Sequence, residues 1–178
     1  MQIALTGTPG TGKSTVASLL PFNVIDINSL VRAGLNVGVD PVRGCLDADM
    51  EALAKHLGKE MESPECITIL DGHFSHCFAD WAIVLRLAPE ILRERLAARG
   101  YSEEKIEENL EAEALDVILV EAVESCSRVD EIDTTNRSPE EVADLVKRIV
   151  GGEIGLPPGQ VNWFVDFFGR TSASFKPP

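Results

Sequence analysis

Residues Gly7 to Ser14 read GTPGTGKS, two glycines at the spacing G-x-x-x-x-G followed at once by a lysine and a hydroxyl residue. Glycines in this pattern let successive backbone N–H groups turn inward at the start of a helix, where unpaired amides and the helix dipole already favour an anion. Lys13 adds a mobile positive charge and the Ser14 hydroxyl a ligand for Mg²⁺. The motif lies between the apolar run Ile3-Ala4-Leu5-Thr6 and the helix-like Ser14-Thr15-Val16-Ala17-Ser18-Leu19-Leu20. Strand, loop and helix in that register predict a site for the β- and γ-phosphates of a nucleoside triphosphate.

A phosphate loop alone does not separate a kinase from an ATPase switch, so the few remaining cations must discriminate. Arg32 follows the apolar run Asn23 to Ile27, Arg86 ends the run Trp81 to Leu87, Arg95 and Arg99 fall at the end of the next helical segment, and Arg137 follows Val129 to Asp133. All five are expected on the side of the fold where the phosphates sit. Moving a phosphoryl group between two nucleotides requires cations on both sides of it, since catalysis is mainly positioning and neutralisation of its equatorial oxygens.

The elements that must carry these groups alternate along the chain. Apolar, β-rich runs at 3–6, 23–27, 66–70, 81–87 and 129–133 read as five strands. Helical spacing is expected from Ser14, from Ser29, from Asp49 to Met61 until Ser63-Pro64 breaks it, from Pro89 to Ala98, and as one long helix from Ser102 to Ser127. Ser138-Pro139-Glu140-Glu141 is a complete helix start, a serine cap with proline next and glutamate three residues after the cap, opening a last core helix to Val150. Strands alternating with helices imply right-handed crossovers and a parallel sheet with ligands at its C-terminal edge. The predicted fold is a five-stranded parallel P-loop α/β domain over residues 1–150. Gly151 to Pro178, rich in Gly and Pro yet carrying Val161, Trp163, Phe164, Val165, Phe167 and Phe168, is expected to dock on that body.

At 178 residues and 44% hydrophobic, without an unbroken apolar stretch of membrane-spanning length, the chain reads as one soluble domain. Nothing at the N-terminus resembles a signal peptide, which places the protein in the cytoplasm and apart from any membrane. Asp and Glu outnumber Lys and Arg 29 to 16, a formal charge of −13 that opposes direct nucleic-acid binding and suits a basic protein partner. The glutamates Glu103, Glu104, Glu107, Glu108, Glu111 and Glu113 are a candidate acidic face. Cys45, Cys66, Cys77 and Cys126 form no C-x-x-C pair and no zinc-ligand spacing, and are expected as reduced, mostly buried thiols.

Several segments together resemble the adenylate kinase isoenzyme 6 family, an atypical branch of the nucleoside monophosphate kinases. They are Leu5 to Thr15, Asp71-Gly72-His73, Val84-Leu85-Arg86, Glu94-Arg95-Leu96-Ala97-Ala98-Arg99-Gly100-Tyr101 and Asn136 to Glu141. The resemblance covers residues 1 to about 150 and implies a short lid near 98–108 and a monophosphate-binding arm near 28–51. The glycine-rich stretch Gly34 to Gly44 departs from the family pattern, and the tail after Gly151 lies outside it.

The resemblance implies reversible phosphoryl transfer from ATP to AMP or a related nucleoside monophosphate, slow ATP hydrolysis, and a link to late small-ribosomal-subunit maturation through a basic platform protein of that subunit. In this reading Gly10, Thr11, Gly12, Lys13, Ser14 and Thr15 hold the ATP phosphates, Arg99 closes on ATP from the lid, and Arg95 clamps near the transferred phosphate. Asp71 and Ser14 hold Mg²⁺, His73 orients water or the acceptor, Arg32 and Arg86 bind the acceptor phosphate, and Arg137 stacks near adenine. An assembly factor driven by ATP hydrolysis and a small-metabolite kinase are the alternatives. Asp26-Ile27-Asn28 lacks the second acid of the D-x-D that shikimate-type kinases carry there.

Overall fold

The computed structural model describes residues 1–40, 46–59 and 66–173. Five parallel strands stand in the order β2 (Asn23–Asp26), β5 (Thr68–Asp71), β1 (Gln2–Thr6), β6 (Trp81–Arg86), β7 (Arg128–Asp133). A separate two-stranded hairpin pairs β3 (Asn36–Val39) with β4 (Leu46–Ala48). Cys45 and Ser63-Pro64 lie outside the described residues, as do parts of the glycine-rich stretch and of the predicted Asp49 to Met61 helix.

β6 is buried along its whole length and β1 along nearly all of it, as strands covered on both faces must be. On one face Ile3, Leu5, Ile83 and Leu85 meet Val142, Val146 and Ile149 of α7 (Pro139–Val150) together with Val16 of α1 (Lys13–Ala17). On the other, Ala4, Ala82 and Val84 lie under Leu119 and Ala122 of α6 (Val117–Ser125). The small residues of that face let the helix approach closely. Parallel register sets Leu5 beside Asp71 and Thr6 beside Val84, so the ends of the three central strands deliver their loops to one edge.

The serine start of α7 forms its full capping box, Glu141 N donating to Ser138 Oγ at 3.2 Å and Ser138 N to Glu141 Oε2 at 2.7 Å. α2 (Ile27–Arg32) is capped by the Asp26 side chain, which accepts from Ser29 N at 3.1 Å. α3 spans Met50–Lys59 and α4 Pro89–Ala98.

The long helix expected from Ser102 to Ser127 is two helices, α5 (Glu103–Ala114) and α6. Asp116 breaks it in the left-handed conformation, φ 58°, among the few that aspartate tolerates. The cause is Arg86. Its guanidinium is buried at the end of β6 and collects the Glu113 carbonyl at 2.8 Å and the Asp116 carboxylate at 2.5 Å where α5 ends.

Two further expectations fail. Cys66 and Cys77 are exposed and Cys126 is half-buried, because they fall on the loop before β5, on the turn Ser75–Phe78 and at the end of α6 instead of on core positions. The acidic face loses Glu113 to the interior, while Glu103 and Glu107 are paired with Arg93.

Beyond α7 the chain runs back along β7, Glu131 N donating to Leu156 O at 2.7 Å and Leu156 N to Asp130 Oδ1 at 2.8 Å. It ends in α8 (Phe164–Ala173), whose Phe167 packs against the apolar cluster of Leu92, Leu96, Ile106 and Leu110 on α4 and α5.

If the Arg86 contact is what breaks the helix, Asp116→Ala should lower unfolding free energy by about 2–3 kcal/mol, since it loses an ion pair and forces alanine into the left-handed region. Asp116→Asn tolerates that conformation and should lose about 1 kcal/mol less. Urea unfolding of both separates the terms; equal losses would show that backbone conformation contributes nothing.

Candidate active site

The C-terminal edge of the sheet opens into a cleft of about 1490 Å³. Its walls are the phosphate loop with Ser14 and Thr15, Asn28 and Arg32 of α2, the hairpin residues Val37, Leu46 and Asp47, His73 after β5, and Arg99, Tyr101 and Lys105 at the α4–α5 connection.

The loop is held open by geometry that only glycine permits. At Gly7, φ is +133° and a Cβ would lie 2.3 Å from the Leu85 carbonyl oxygen; at Gly10, φ is +101° and a Cβ would lie 2.6 Å from Leu92 Cδ1. Arg95 braces the loop from outside, donating to Gly10 O at 3.2 Å. Lys13 Nζ folds onto the loop's own carbonyls, donating to Gly7 O at 2.7 Å and Thr8 O at 3.0 Å. Burial strips water from this ammonium and lowers its pKa from 10.5 to about 8, with Asp71 and Glu113 pulling it back up and Arg99 pressing it further down.

Asp71 ends β5, buried, beside Ser14 across the strand edge. Burial raises its carboxyl pKa, the Ser14 hydroxyl and Lys13 oppose that rise, and Asp26 adds to it. A hydroxyl and a carboxylate with a second carboxylate nearby form an all-oxygen donor set that suits Mg²⁺. His73 is held by its backbone, whose carbonyl accepts from Thr6 Oγ1 at 2.9 Å, and its ring opens to the cleft. Desolvation there, with Lys13, His76 and Lys105 as like charges, lowers the imidazole pKa to about 4. The ring is therefore neutral at physiological pH, even though solvent reaching it screens part of that effect.

The five arginines do not converge. Arg99 caps α4 and lines the cleft, and the connection between α4 and α5 is the short run Arg99 to Ser102. Arg32 lines the opposite wall, bonded to Ser29 Oγ at 3.1 Å and within 3.5 Å of Asp26. Arg137 lies apart in a shallow depression with Glu140, Glu141, Asp144 and Leu145, its guanidinium donating to the Asp133 carbonyl.

Arg86 corrects the expectation of an acceptor-binding residue. It is 1% exposed and its nitrogens are spent on Glu113, Asp116 and Glu131, so no phosphate reaches it. Conversely, Lys105 on the cleft wall, 5.3 Å from the Tyr101 ring centroid, was not singled out. Nothing in its spacing distinguishes it from a solvated helix lysine.

The profile of the AAA domain family matches residues 3–116. A Methanothermobacter thermautotrophicus protein named "Putative adenylate kinase" is 50% identical over 169 residues, which cover 91% of this chain and 96% of that protein. The chain belongs to the family that bears this name. The Methanosarcina barkeri member of the same adenylate kinase-named family is 46% identical over 181 residues, covering 92% of this chain and 97% of its own. Among solved structures, a shikimate kinase from Acinetobacter baumannii in complex with shikimate superposes with TM-score 0.59 at 16% identity, covering 85% of this chain and 93% of that one. That likeness is one of fold, a phosphate loop on a five-stranded parallel sheet flanked by helices. No helix among the described residues is long and apolar enough to cross a membrane.

For this member of the family, Lys13 gives a pH prediction. With a pKa of about 8 in the free protein it is half deprotonated at pH 8, and a bound phosphate must raise that pKa. Nucleotide binding at pH 8 should take up about half a proton per site, and affinity should fall as pH rises through 8. Calorimetry of ADP binding in two buffers of different ionisation enthalpy reads the uptake directly; a value of zero would contradict a buried, destabilised ammonium.

Proposed function

We propose that this chain is an adenylate-type nucleoside monophosphate kinase, moving the γ-phosphoryl group of ATP reversibly to AMP or a related monophosphate, and hydrolysing ATP slowly when no acceptor is bound. One observation carries the reading. The cleft has a phosphate loop on one wall and a cation-bearing helix and hairpin on the opposite wall, and at about 1490 Å³ it exceeds the roughly 300–1,000 Å³ of a pocket for one drug-sized ligand.

In the proposed mechanism Gly10, Thr11 and Gly12 offer backbone N–H groups to the ATP phosphates and Lys13 leaves its loop carbonyls for the β- and γ-phosphate oxygens. Mg²⁺, held by Ser14 and Asp71, would neutralise charge on those oxygens when bound. Arg32 fixes the acceptor phosphate, one oxygen of which attacks phosphorus as the bond to the β–γ bridging oxygen breaks, leaving ADP on both sides. Arg99 from the lid and Arg95 beside the loop stabilise charge that grows on the equatorial oxygens. His73, neutral at pH 7, accepts a proton contact from water and orients it in hydrolysis.

A second reading, an assembly ATPase acting on a basic platform protein of the small ribosomal subunit, is favoured by the −13 charge. It predicts association that weakens with salt, without direct binding to nucleic acid.

The test is ADP formation from ATP with and without each monophosphate. Lys13→Ala should abolish both reactions. Arg99→Ala should lower kcat for transfer about 10²–10³-fold with little change in ATP affinity. His73→Ala should reduce hydrolysis about tenfold or more and leave transfer to AMP nearly intact, because the AMP phosphate is its own nucleophile. No stimulation of ADP formation by any monophosphate would leave the ATPase reading.

A further inference from the structure

The interior face of α5 is Ile106, Leu110, Glu113 and Ala114, an apolar seam broken by one carboxylate. A carboxylate in such a seam is costly unless every oxygen is partnered. Glu113 meets that demand by dividing its oxygens between two elements. Oε1 accepts from Arg86 Nε at 2.8 Å and from Leu87 N at 3.0 Å, while Oε2 accepts from the Thr8 hydroxyl in a short contact inside the phosphate loop. Thr8 O is in turn one of the two carbonyls that hold Lys13 Nζ, and it also accepts from Thr11 Oγ1 at 3.0 Å.

From this arrangement we infer that Glu113 is a positioning residue for nucleotide binding: it fixes the phosphate loop through Thr8, whose carbonyl holds the Lys13 side chain. The inference rests on the nucleotide-binding half of the proposed function and is indifferent to the acceptor. Glu113 does not touch substrate. Glu113 itself faces Arg86, which Glu131 of β7 and Asp116 share. Removing the charge of Glu113 leaves Arg86 with two carboxylates, so the guanidinium stays partnered.

The experiment uses ADP with Mg²⁺ as the probe, measuring its dissociation constant at pH 7 in the intact protein and in its Glu113→Gln, Thr8→Val and Thr8→Ser variants. Glutamine keeps the shape and loses the charge, and should weaken ADP about threefold or more. Valine keeps the charge and loses the hydroxyl. Thr8→Val should weaken ADP about five- to tenfold, and Thr8→Ser should restore affinity. Glu113→Gln added to Thr8→Val should weaken ADP no further, because both act on one bond. Fully additive losses would show that Glu113 does not act through Thr8 and overturn the inference, as would undiminished ADP affinity in Thr8→Val. Should Glu113→Gln fail to fold, the two Thr8 variants alone decide, and normal ADP affinity in Thr8→Val then overturns the inference. Loss of AMP-dependent turnover with ADP binding as described would count against the kinase reading and not against this one.

Discussion

A single guanidinium, Arg86, is the joint on which the site edge of this fold turns. Nε and both terminal nitrogens reach Glu113, Glu131, Asp116 and the Glu113 carbonyl, at 2.5 to 2.8 Å. Burial alone would lower its pKa, but the carboxylates of Glu113 and Asp116 outweigh that and hold it above its ordinary value, permanently charged. Removing Arg86 from such a buried cluster costs about 3–5 kcal/mol because it strands carboxylates without a counter-charge. The cluster therefore fixes four things together: where β6 ends, where α5 ends, how α6 starts, and where the returning tail crosses, since Glu131 Oε2 also accepts from Gly159 N at 2.8 Å and Gln160 N at 2.9 Å.

From that joint the order passes to the chemistry. Glu113 links Arg86 to Thr8, the loop glycines press against Leu85 and Leu92, and Arg95 closes the loop from the other side. The phosphate loop is in this way preorganised, so little ordering remains to be done when an anion arrives. Lys13 waits on two backbone carbonyls that a phosphate oxygen replaces with a stronger, charge-assisted partner. The wall that carries Arg32 is built differently. Arg32 is exposed, and its partners among the described residues are Ser29 and Asp26, while Val37 and Val39 on the hairpin are 72% and 63% exposed.

Much of this was readable because local chemistry fixed it. The phosphate loop, the strand ending in Asp71 and the capping box at Ser138 are short-range patterns whose mechanism lies within a few residues, and the alternation of strands and helices gave the parallel sheet. What escaped was long-range pairing. Arg86 reads as a strand-end cation pointing to ligand, and Glu113 as one more glutamate on an acidic helix; only the fold brings residues 27 positions apart into one buried bond. The break at Asp116 has the same origin, since the periodicity runs through it and the reason to stop lies on β6. Cys66 and Cys77 were misjudged because thiol burial follows position in the fold and not residue type.

We propose that one cleft receives two nucleotides with their phosphates facing each other. A ligand with two adenosines joined by five phosphates spans such a site in a single molecule, and its binding is read by calorimetry against ATP and AMP separately. The account predicts one molecule bound per chain, an affinity at least about a hundredfold above that of ATP, and complete loss of AMP binding in its presence. Binding no tighter than ATP, or with room left for AMP, would contradict it.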